Sequence, residues 1–124
     1  MGLHCCGNTD WGALLKREID ILSFDAYNFT KEFLLYAADI KNFTERGGTI
    51  AWGIVPTGDA VKKETAKSLA QRLKQTIASL EEKGIGKAGV SSIVTPSCGT
   101  GSMDEDSAKL VLELTKNVSQ ILRK

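Results

Sequence analysis

The feature that most constrains this chain is a rhythm: four times over, a short apolar run is followed by a turn and then by a segment with helical spacing. "GLHCC" ends at the turn "GNTD", and "WGALLKRE" behind it can form a brief helix with Ala13, Leu14 and Leu15 partly buried. "IDILSFDA" is the second run, and "NFTKEFLLYAADIKNFTERGG" follows as one helix, with Phe33, Leu34, Ala37, Ile40 and Phe43 at helical spacing and Gly47 and Gly48 as its stop. "TIAWGIVP" is the third strand, closed by Pro56 and Gly58. "VKKETAKSLAQRLKQTIASLEEKG" is an amphipathic helix that carries Ala66, Leu69, Leu73, Ile77 and Leu80 on one face and stops at Gly84. "VSSIVTP" is the fourth strand. Ser102 and Glu105 then have the spacing of a capping box, opening a last helix with Ala108, Val111, Leu112, Thr115, Val118 and Leu122 inward.

Four strand-helix units in succession imply parallel strands joined by right-handed crossovers, so the fold class is α/β within a single domain spanning residues 1–124. Two closures compete: a doubly wound open sheet, or half of an eight-stranded (β/α) barrel. The pattern alone does not choose between them. The dinucleotide form of the open sheet loses support because "GNTDWG" lacks the G-x-G-x-x-G spacing, and the glycine-rich "CGTGSMD" is weak evidence for a phosphate cradle.

Charge and composition exclude several functions. Sixteen basic against fifteen acidic residues give a net charge of +1, with no run of like charge that would suit nucleic acid or a membrane surface. No apolar stretch approaches the roughly 20 residues of a membrane span, and the first residues lack the pattern of a signal peptide. The expectation is a cytoplasmic protein. In that setting three cysteines point to metal binding or catalysis rather than to disulfides.

One histidine and two of the three cysteines stand together in "HCC". Side chains alternate along a strand, so His4 and Cys6 share a face while Cys5 points away. Both belong to the carboxyl end of the first strand and Cys98 to that of the fourth, the rim where parallel α/β folds place their sites. An imidazole and two thiolates suit zinc, with a fourth position left for water or substrate. Taken singly, each cysteine is better explained as a small buried side chain and His4 as a satisfied core histidine; it is their agreement in face, strand end and ligand type that favours metal. Trp52 could line a substrate pocket or pack between sheet and helix. Asn8 and Thr9 could orient the loop after His4 or act as turn and cap residues. Asp20 reads as a solvated turn residue, and the lysines of residues 62–87 as a solvated helix face.

"HCCGNTDW", "DILSFDAY", "GGTIAWGIVPT" and "TPSCGTGS" resemble, in order, the carboxyl-terminal half of the cobalamin-independent methionine synthase and uroporphyrinogen decarboxylase superfamily. The resemblance implies a half-barrel and, in the zinc-dependent branch, a metal held by a His-x-Cys pair and a later cysteine, matching His4, Cys6 and Cys98. Asp25 in "SFDAY" stands where some members supply a further ligand. The implied activity is zinc-dependent thiol methylation within methionine biosynthesis, in which zinc holds a thiol substrate as a nucleophilic thiolate. The donor would be a methyl-corrinoid or a folate, and Trp52 and Asn8 would contact substrate. The alternatives are a decarboxylase-like member acting on a tetrapyrrole and a non-catalytic interaction module. A half-barrel exposes two sheet edges and an inner face, which favours an amino-terminal half of the barrel or a second copy of the chain as partner.

Overall fold

The computed structural model describes residues 1–5, 7, 9–86, 92–101 and 103–122. Its elements follow the sequence in order: β1 (Gly2–Cys5), α1 (Trp11–Leu15), β2 (Ile21–Phe24), α2 (Ala26–Leu34), α3 (Ala37–Glu45), β3 (Thr49–Val55), a 3₁₀ turn (Asp59–Lys63), α4 (Ala66–Glu82), β4 (Ser92–Pro96) and α5 (Glu105–Leu122). The strands form one all-parallel sheet in the order β1-β2-β3-β4. Each crossover therefore adds its strand on the same side of the previous one. With right-handed crossovers that never reverse direction, the helices collect on one face of the sheet. A doubly wound sheet needs a reversal of strand order, and the described strands show none. The arrangement is that of a half-barrel unit.

Strand alternation sorts the side chains accordingly. Register puts Leu3, Leu22, Ile50 and Ser92 in one row and Cys5, Phe24, Trp52 and Val94 in another, both facing the helices. Between them runs the row His4, Ser23, Ala51 and Ile93, on the face that the helices leave open. The core on the helix side is built around four aromatic rings. Trp11 meets Phe24 and Phe33 edge-on at 5.3 and 5.5 Å, Phe24 and Phe33 stack at 4.2 Å, and Trp52 meets Phe24 at 5.6 Å. All four are fully buried. Buried aromatic pairs in such geometry contribute about 0.5–1.5 kcal/mol each beyond their area.

The helix ends follow their local chemistry. Asp10 caps α1 by accepting from the Ala13 N–H, and Thr65 and Ser68 form a reciprocal capping box at α4. Gly47 and Gly84 adopt φ of +94° and +88°, and the residue after each donates to a carbonyl five positions back, from Gly48 to Phe43 and from Ile85 to Leu80. These are the left-handed stops that only glycine takes without a Cβ penalty.

Four expectations are corrected. The segment after β2 is two helices, because Leu35 and Tyr36 donate to Glu32 and Phe33 in tightened three-residue turns that end α2. The helix after β3 begins at Ala66, since residues Asp59–Lys63 form a 3₁₀ turn and Thr65 is the cap. The last helix is capped by Asp104, whose side chain accepts from the Ser107 N–H at 3.1 Å, instead of by Ser102, which lies outside the described residues. Its inward stripe is Val111, Leu114 and Val118, and Leu112 is 60% exposed. No helix among the described residues is long and apolar enough to cross a membrane.

Candidate functional site

The open face and its carboxyl rim hold the polar groups that a site could use. His4 and Ser23 are register partners on adjacent parallel strands, and the His4 Nδ1 lies 2.8 Å from the Ser23 hydroxyl. His4 is exposed, Ser23 half-buried. Ala51, next in the row, reaches no further than its Cβ and is itself 4% exposed, so beside Ser23 stands a small, buried methyl group. Cys5 points to the opposite face, packs against the core and donates its thiol to the Gly7 carbonyl at 3.5 Å.

Asp25 follows β2 directly. It is 6% exposed, and both carboxylate oxygens serve its own helix, Oδ1 accepting from the Asn28 N–H at 3.0 Å and Oδ2 from the Asn28 side-chain amide at 2.7 Å. It is the N-cap of α2. Cys98 is exposed on the chain after β4. Cys6 and Asn8 lie outside the described residues. Among the described residues, no group of three or more His, Cys, Asp or Glu side chains is placed to hold a metal ion, so His4, Asp25 and Cys98 do not converge as one. Trp52 belongs to the packing between sheet and helices: it is fully buried in the aromatic cluster, and its indole N–H donates to the Ser92 hydroxyl at 3.0 Å.

At the β3–β4 end of the rim, backbones come close. A Cβ on Gly53 would lie 2.4 Å from the Phe24 carbonyl oxygen and 2.8 Å from the Ser97 Cα, so only glycine lets the chain after β4 fold back over the sheet. Ser97 is tied there by its N–H to the Val55 carbonyl at 2.8 Å, and its hydroxyl lies 3.2 Å from that of Thr57. The hydroxyl oxygen of Thr95, the register partner of Gly53, is buried and has no hydrogen-bond partner among the described residues. Across the rim between β2 and α4, the Arg72 guanidinium lies 4.3 Å over the Tyr27 ring, donates to the Tyr27 carbonyl at 3.0 Å and pairs with Glu64 at 3.6 Å. Burial, and secondarily a hydrogen bond to Glu64, push the Tyr27 hydroxyl above the usual tyrosine range. These contacts fasten the first turn of α2 to α4.

Away from this rim, an open groove of about 690 Å³ lies between α4, α5 and the start of β4, lined by Leu73, Ile77, Ile93 and Leu122 among others. Lys74, Glu81, Ser92 and Ser119 share its wall with these apolar groups. Asp20 is exposed, and its carboxyl is held below the usual range by the amino-terminal ammonium 2.5 Å away. Ser23 is the residue that sequence reasoning missed. Its signal is two-residue spacing from Asp25, but its pairing with His4 depends on the register between β1 and β2, which one sequence does not reveal.

Comparison with known proteins changes the family expectation. No protein-family model matches the chain, and no solved structure matches it. Among curated proteins, the chain is 31% identical over 108 residues to the "4-hydroxy-3-methylbut-2-en-1-yl diphosphate synthase (flavodoxin)" of Campylobacter fetus subsp. fetus (strain 82-40). The alignment covers 83% of this chain and 30% of that protein. This overturns the resemblance to the methionine synthase and uroporphyrinogen decarboxylase superfamily. The zinc-dependent thiol methyltransferase reading, its decarboxylase-like alternative and the placement in methionine biosynthesis fall with it. What the comparisons leave in place is similarity to less than a third of a diphosphate synthase, on a parallel α/β unit whose carboxyl rim is lined by hydroxyls and one imidazole.

Proposed function

We propose that this chain forms part of the active-site barrel of a synthase acting on a small organic diphosphate. The observation that carries the reading is the 31% identity over 108 residues to a diphosphate synthase. The rim chemistry supports it. In parallel α/β folds small ligands bind at the carboxyl ends of the strands, and there this chain offers His4, Ser23, Thr57 and Ser97, all capable of donating to phosphate oxygens. Hydroxyl and imidazole donors suit a diphosphate in a chain with net charge +1 and no basic cluster. Since the chain matches 30% of the relative's length, its share of the activity is to supply part of the binding surface, with the remaining strands as its partner.

The test is a titration of the ¹⁵N-labelled chain with 4-hydroxy-3-methylbut-2-en-1-yl diphosphate, followed by amide chemical shifts, with inorganic pyrophosphate run in parallel. Shifts that cluster at His4, Ser23, Thr57 and Ser97 are expected. The reading fails if the spectrum is unchanged at millimolar ligand, or if the shifts gather at the groove between α4 and α5.

A further inference from the structure

The His4–Ser23 contact is unusual for a strand-to-strand pair because burial does not enforce it. His4 is exposed, so water could satisfy its ring, yet Nδ1 and the Ser23 Oγ stand at 2.8 Å. The register accounts for the approach. Parallel neighbours on one face lie about 4.8 Å apart, which brings a short hydroxyl and an adjacent imidazole to hydrogen-bonding distance. A half-buried serine hydroxyl against an exposed histidine nitrogen, with only the small Ala51 next in the row, has the arrangement by which a weak nucleophile is activated by a base.

We propose that Ser23 and His4 form a nucleophilic pair on the open face of the sheet, with Ser23 accepting phosphoryl groups from activated phosphate or phosphonate esters. In the tautomer protonated at Nε2, the His4 Nδ1 accepts the Ser23 proton. As Oγ attacks phosphorus, the O–P bond forms, the bond from phosphorus to its leaving group breaks, and the leaving group departs with that electron pair. The proton released from Oγ resides on Nδ1 and is available to the leaving group or to solvent. No metal, oxidant or reductant enters the balance. The proposal stands on this contact alone and not on the diphosphate reading.

The probe is an alkyl fluorophosphonate, whose leaving group is fluoride, with adduct formation followed by peptide mass spectrometry on the intact chain. His4 is the chain's one histidine, so a single substitution removes every imidazole. The expected result is an adduct at Ser23 that disappears in Ser23→Ala. In His4→Ala it should form about 100-fold more slowly, as a general base of this kind contributes, and be restored in part by free imidazole. Circular dichroism matching the parent establishes that the variants fold, and His4→Asn gives a second variant closer in shape. No adduct at Ser23 in the folded parent overturns the proposal, as does labelling at an equal rate in either His4 variant. Imidazole rescue separates a base from a residue that merely supports the strand, and its failure counts the pair as structural.

Discussion

The two faces of the sheet are built from the same strands by opposite rules. On the helix side, β2 and β3 present Leu22, Phe24, Ile50 and Trp52, all fully buried, and the Phe24 and Trp52 rings both pack against Phe33. On the other side the same strands present Ser23, Ala51 and Gly53, side chains that end at or near the Cβ, flanked by His4 and Ile93. Large apolar groups supply the stability of one face, through area and packing. Small and polar groups keep the other face shallow enough for something to enter. The lesson is that β3, buried along most of its length, is nonetheless two-sided up to the irregularity at its end: Ile50 and Trp52 anchor helices, while Ala51 and Gly53 on the other side add almost no side-chain bulk.

That contrast can be broken in three places. The largest effect is expected for Trp52→Ala, which removes a fully buried indole, its contacts with Phe24 and Phe33 and its hydrogen bond to Ser92. A loss of about 3–5 kcal/mol in urea unfolding is expected; a loss below 1 kcal/mol would mean that the aromatic cluster is not the anchor of the helix face. Next comes Gly53→Ala on the open side. Its new methyl group meets the Phe24 carbonyl and the Ser97 backbone, so unfolding should become easier by about 1–3 kcal/mol, with amide shifts concentrated at Phe24 and Ser97. An unchanged midpoint would show that the chain after β4 moves aside freely. The smallest effect is expected for Ile93→Ser. Ile93 is 43% exposed on the open face, and its replacement should change stability by no more than about 0.5 kcal/mol in the same assay. A loss several times larger would mean that the open face is covered in solution, which sedimentation of parent and variant would register as a difference in mass.

Much of the fold was legible because it rests on periodicity. The four strands, their parallel sense and the stops at Gly47 and Gly84 follow from apolar spacing and from the conformations only glycine takes easily. The break between α2 and α3 was not legible, since neither Leu35 nor Tyr36 is a helix breaker and the turn is set by how the segment lies against the sheet. Leu112 misled because it is apolar and one position from Val111, yet a stripe through Val111, Leu114 and Val118 leaves it at 60% exposure. At the site, the separation of His4 from Cys5 followed from strand alternation, whereas the His4–Ser23 contact needed the register. Asp25 looked like a ligand because it stands at a strand end; an aspartate there is equally placed to cap the helix that follows, and its carboxylate does so through Asn28.

The unreversed strand order has a consequence for how the molecule is made. Every strand pairs with the one synthesised just before it, so no contact in the sheet waits for a distant segment to appear. β1 and β2 can pair, and Trp11, Phe24 and Phe33 can meet, before β3 has left the ribosome. Loop-closure entropy is then met in short, repeated increments instead of one long search. A chain assembled in this way grows by accretion from its amino terminus during translation, and its last strand joins a surface that is already ordered.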